Sequence, residues 1–145
     1  METDDFYKLR EGPGIENASL YPPVNIHEML FAPLDKLVFN SPFDFDHVTY
    51  HMTVMNNTIH PVAFVIKANC IPRVIAYPAH GILKSKQKIN VAVTMKKFDH
   101  EVYGENDRLV YEWVVLKEMV EEFKPVLLDT NGIVRRKTIL IEYNG

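Results

Sequence analysis

Six histidines, one cysteine and two groups of cations are the side chains of this 145-residue chain with the most chemistry to offer. His47 and His51 stand four apart, a spacing that converges on a metal ion when a helix carries it. The stretch around them, "HVTYHMTVMN", alternates apolar and polar residues and so reads as a strand, on which four residues span about 13 Å. Imidazoles so separated do not share an ion, and no cysteine or carboxylate is spaced to complete a tetrahedral set. Cys70 sits in "ANCIPR", which is neither a protease signature nor a CxxC pair. Arg73 nearby would lower its pKa, but a lone cysteine after an apolar strand is more often a small buried hydrophobe. The chain also lacks GxGxxG, GxxxxGK, HExxH and GxSxG. No catalytic residue, metal ligand or cofactor is assigned, and the reading is of a protein that is not an enzyme.

The cations remain. Arg135, Arg136 and Lys137 lie in the closing stretch "NGIVRRKTILIEYNG", which alternates like a strand, so Arg135 and Lys137 share one face and Arg136 takes the other. They are either a solvated face that discourages edge pairing or charges that fix the register of a protein contact. Lys67, Arg73, Lys96 and Lys97 form a second set, open to the same two readings, with an acidic peptide as the partner in the functional one.

The elements that must position these groups are short strands. "DKLVFN" is stopped by Asn40-Ser41-Pro42; "HVTYHMTVMN" puts Val48, Tyr50, Met52 and Val54 on one face; "PVAFVIKAN" is apolar on both faces, as in an interior strand covered on two sides. "KINVAVTMKKF" sets out Ile89, Val91 and Val93, and "RLVYEWVVL" groups Leu109, Tyr111 and Trp113. Phe64 and Ile66 join the inward set. The links between strands are rich in Asn, Pro, Gly and Asp, which together indicates an all-β sandwich. In "KEMVEEFKPVLLD", Met119, Val120 and Phe123 begin like a helix that Pro125 should end, giving a helical turn or tight loop before the final strand. A cis bond is expected at Ser41-Pro42 or Tyr77-Pro78.

Length and composition bound the function. The chain fits one domain; 47% hydrophobic and 24% charged residues are ordinary for a globular core. A net charge of −3 gives no general drive toward nucleic acid or anionic membrane. No apolar run reaches the roughly 20 residues of a membrane helix. A single cysteine and an acidic N-terminus without a signal-like apolar stretch point to the cytoplasm. The sequons at Asn17 and Asn56 are therefore read as unmodified. Residues 1–20, which hold Gly12, Pro13 and Gly14 and show no period, are expected to be a flexible extension, with the domain over 21–145.

"KLVFNSPFDFDHVTYHMTVMNNT", "IKANCIPRVIAYPAHGIL", "NDRLVYEW" and "GIVRRKTILIEYN" follow one another in an order that resembles the major sperm proteins of nematodes. The resemblance runs from about Tyr21 to Gly145, and the closing block is its most distinctive part. It implies an immunoglobulin-like seven-stranded β-sandwich without catalysis. It implies a homodimer that assembles into or decorates filaments, alone or with other proteins of the type, and drives amoeboid sperm motility from the cytoskeleton of the pseudopod. The alternative is an adaptor of the same domain type that binds short acidic, phenylalanine-containing peptides. The candidate protein-contact residues are Lys67, Arg108, Arg135, Arg136 and Lys137. Two departures stand out. The threonine pair with which the adaptors hold their peptide is replaced by Ala68 and Asn69, and "CGVLDP" becomes His80-Gly81-Ile82-Leu83-Lys84-Ser85, losing an acid and a proline.

Overall fold

A computed structural model describes residues 28–40, 47–71, 73–96, 106–130 and 132–144. The expected residues 1–20 extension, Ser41-Pro42 and Lys97 lie outside these. Nine strands are present among the described residues: β1 (Met29–Ala32), β2 (Lys36–Asn40), β3 (His47–Asn56), β4 (Val62–Ala68), β5 (Val74–Tyr77), β6 (His80–Leu83), β7 (Lys88–Lys96), β8 (Arg108–Val115) and β9 (Arg135–Asn144). They form a four-stranded sheet, β1-β3-β7-β5, and a five-stranded sheet, β2-β9-β8-β4-β6. The immunoglobulin-like sandwich is as expected. Among the described residues its strands number nine rather than the seven the resemblance implied, and the short pieces β1, β5 and β6 lie at sheet edges.

Alternation does what the sequence requires of it. Met52, Val54, Phe64, Ile66, Val91, Val93, Leu109, Tyr111 and Trp113 are buried between the sheets, and Val48 and Tyr50 pack partly buried against them. Tyr50 meets Phe39 edge-on, with ring centroids 6.4 Å apart. The Tyr111 hydroxyl donates to the Met52 thioether at 2.9 Å, which satisfies a buried polar atom inside an apolar layer. β4 is an interior strand covered on two sides. Ala63 and Val65 face a second core with Val114, Leu116 and Leu128, over which Val120, Phe123 and Leu127 pack.

That covering segment corrects one expectation. The helical turn, α1 (Leu127–Thr130), follows Pro125 rather than ending before it. Proline lacks only a donor that a first helical turn leaves free, so Pro125 opens the turn, and its carbonyl accepts from Leu128 N at 3.1 Å. Tyr77-Pro78 is cis as expected, and so is Ala32-Pro33, which the sequence did not single out.

The closing strand alternates because it is inserted, not appended. β9 pairs antiparallel with β8 over Arg135–Leu140 and parallel with β2 over Leu140–Asn144. Among the described residues, the first half of β9, the half with the three cations, pairs with β8 alone.

Candidate functional site

The five candidate contact residues divide between two faces. On the outer face of the five-stranded sheet, Glu112 sits in the middle of β8 as a lone acid among apolar residues, and only 5% of it is exposed. Lys67 Nζ reaches its Oε1 at 3.1 Å from β4, and Arg136 Nε donates to its Oε2 at 2.8 Å from β9. One buried carboxylate thus ties three strands together through two cations. Arg108 lies two residues along β8 from Val110, on the same face. Its Nη1 donates to the Asn106 carbonyl at 3.1 Å, while its backbone N–H donates to Asn69 Oδ1 at 2.9 Å. Asn69, which stands in the family's threonine pair, is therefore used to cap the start of β8.

Arg135 and Lys137 belong to the opposite face, opposite Trp113 and Tyr111 in the register. They reach the flank of the sandwich. Arg135 Nε lies 3.7 Å from Glu28 Oε1, which also accepts from Trp113 Nε1 at 3.2 Å. Lys137 Nζ is 2.8 Å from Asp35 Oδ1. All three cations of the closing strand are therefore held in ion pairs, which the reading of a simple solvated face did not anticipate.

A second charged cluster sits at the far end of the same sheet. Arg73 grips Asp107 with two hydrogen bonds, of 3.1 and 2.7 Å, and the Tyr143 hydroxyl donates to the same carboxylate, which is 3% exposed. Burial opposes the Arg73 charge, but the hydrogen bonds and charge of Asp107 outweigh it and raise its pKa. Burial first, and then Asp107, push Tyr143 upward. Cys70 lies nearby, 3% exposed, and burial, reinforced by Asp107 and opposed by Arg73, pushes its thiol up to about 12. A thiol held protonated in this way is no nucleophile.

No group of three metal-ligating side chains occurs among the described residues, and His47 and His51 are both exposed on β3. A cavity of about 100 Å³ opens between β4 and β5, but aliphatic residues such as Ile66, Val74 and Leu109 line it. The site-forming groups are suited to holding strands and meeting another macromolecule. Glu112 and Asp107 were missed in the sequence. A single acid inside "RLVYEWVVL" was the available signal, since a charge in an apolar strand must be paired when buried.

The MSP (Major sperm protein) domain model matches residues 28–129. The chain belongs to the major sperm protein domain family. It is 34% identical over 125 residues to "Major sperm protein 3" of Globodera rostochiensis, covering 85% of this chain and 96% of that protein. It is 33% identical over 129 residues to "Major sperm protein isoform alpha" of Ascaris suum, covering 88% and 98%. The solved structure of WR4, a C. elegans MSP family member, superposes with a TM-score of 0.61 at 14% identity, covering 80% of this chain and 97% of that one. That likeness concerns the fold.

Proposed function

We propose that this protein is a non-enzymatic cytoskeletal element of the major sperm protein type, which self-associates as a homodimer and builds or decorates filaments that drive amoeboid sperm motility. The observation that carries the reading is similarity to curated major sperm proteins over 96–98% of their own length. The physics is compatible. A sandwich has sheet faces and strand edges, among them the first half of β9, which pairs on one side only among the described residues, and a symmetric dimer presents each of them twice for further assembly.

The residues proposed for contact with another copy are Arg135 and Lys137 at the flank beside the first half of β9, and Arg136, Lys67 and Arg108 on the outer face of the sheet. The adaptor reading fares less well. An acidic peptide approaching Lys67 has to compete with Glu112, already 3.1 Å from its ammonium. Sedimentation of the full chain over rising concentration, with electron microscopy of the concentrated sample, tests the proposal. Assembly without added peptide is the expected result. A monomer at every concentration that binds an acidic phenylalanine-containing peptide in a salt-sensitive way overturns it.

A further inference from the structure

β5 is the last strand of the four-stranded sheet, and among the described residues it pairs with β7 alone. Its four residues, Val-Ile-Ala-Tyr, carry no charge. Val74 is buried and Ala76 packs against the core, so Ile75 and Tyr77 take the outward face, where they are 39% and 78% exposed. The cleft that β5 shares with β4 is aliphatic as well, with Ile71 and Ala79 completing its lining.

The register fixes which backbone groups of this strand are in use. Lys96 N donates to the Arg73 carbonyl at 2.8 Å, so residues 73 and 96 form a hydrogen-bonded pair. Alternation then turns the backbone groups of Ile75 and Tyr77 toward Thr94 and Ala92 of β7, and those of Ala76 to the far side. Val74 N, on that same side, donates to the Cys70 carbonyl at 3.1 Å. Neither the N–H nor the C=O of Ala76 has a bond to a described residue. A donor and an acceptor on one edge residue are self-complementary. Antiparallel to a second copy, Ala76 exchanges hydrogen bonds in both directions with its own image. That pairing sets Ile75 opposite the partner's Tyr77, and Tyr77 opposite the partner's Ile75, at the closely spaced positions where aliphatic and aromatic side chains pack well. It ends there, because Pro78 has no N–H to extend it and Val74 N is already used.

We propose that two copies of this chain join edge to edge along β5, about a two-fold axis at Ala76, so that their four-stranded sheets run on as one. The inference rests on the self-association proposed above and assigns it a surface. Charge selects a second copy as the partner. A two-fold contact lays each group near its own image, so the uncharged β5 meets no like charge, whereas Arg135, Arg136 and Lys137 would. The cations of β9 are left for a different contact, which a dimer requires if it is to grow further.

Sedimentation of the full chain over rising concentration, beside Ile75→Lys, Tyr77→Glu and the double variant, tests the assignment. Each single substitution occurs twice in a two-fold contact and sets a charge opposite an apolar side chain. Each should therefore raise the dissociation constant at least about tenfold. Circular dichroism should be unchanged, because both side chains are exposed on the outward face. In the double variant the new ammonium of one copy faces the new carboxylate of the other. Association should then return at low salt and weaken at high salt. Single variants that associate like an associating parent overturn the β5 contact and leave self-association itself standing. Weakened single variants without recovery in the double variant overturn the pairing about Ala76. A parent that stays monomeric at every concentration overturns both this contact and the self-association reading, and leaves the edge to an extended segment of another protein.

Discussion

Glu112 shows at the scale of one residue why pairing, not charge, decides the effect of a substitution. Its two cations are a quarter to a third exposed, with side-chain exposures of 24% and 30%, so solvent weakens each pair, but the carboxylate itself is 7% exposed and cannot be abandoned. Arg136→Met should therefore cost about 1–3 kcal/mol in denaturant melts, and much less in a Glu112→Met background, where no buried charge is left behind. Equal losses in both backgrounds would show that Arg136 acts through packing alone.

Trp113, 2% exposed on the inner face of the same strand, is a packing residue, and Trp113→Ala should cost about 3–5 kcal/mol in chemical denaturation. Cys70 gives a pH signature. Its thiol moves from an ordinary 9.0 up to about 12, so above pH 9.0 the unfolded chain loses a proton that the folded chain keeps. Stability supplied by the neutral thiol is complete below pH 9.0 and falls as pH rises toward 12; Tyr111 and Tyr143, both raised, add the same sign above 10.0. Cys70→Ala should flatten the early part of that alkaline slope in melts between pH 8.5 and 10.5, which are about the limits that separate the thiol from the tyrosines.

Among the elements, the link from β3 to β4 is the one whose stability rests on a single side chain. Asn56 is fully buried, and the carbonyls it meets are those of His60, in the same link, and of Leu83 and Lys84, at the end of β6. Asn56→Ala strands those acceptors and opens a small void, so a loss of roughly 2–4 kcal/mol is expected by chemical denaturation. A loss under about 1 kcal/mol would mean that water replaces the amide at no cost. The same burial leaves no room for a glycan on the Asn56 sequon in the folded chain. The first half of β9 makes the opposite point. Arg135→Glu would be neutral on an exposed face, but beside Glu28 and the Trp113 indole it places like charges together and should destabilise.

For the whole molecule, the flank beside the first half of β9 is where stability and assembly separate. Lys137 pairs with Asp35, which is 71% exposed, so Lys137→Glu should shift folding stability by less than about 1 kcal/mol. If copies meet along this flank, the same change should alter the salt dependence of sedimentation, since interfacial charge sets register and encounter rate. Unchanged association at low and high salt would remove Lys137 from the contact.

The sequence by itself determined the longer strands, the residues that face the core and the family, while the short edge strands β1, β5 and β6 carried too few residues to show a period. Alternation has a period of two, and turn chemistry is local, so "HVTYHMTVMN" and "RLVYEWVV" carry both in a few consecutive residues. Only the tertiary structure decided which charges meet. Lys67 and Arg136 are 69 positions apart in the chain, from 136 − 67, and converge on Glu112 because β4, β8 and β9 are neighbours in one sheet. Neither pattern nor propensity encodes that adjacency. It follows from burying both faces of β4 at once, which places the last strand inside the sheet and turns a basic tail into a set of ion pairs.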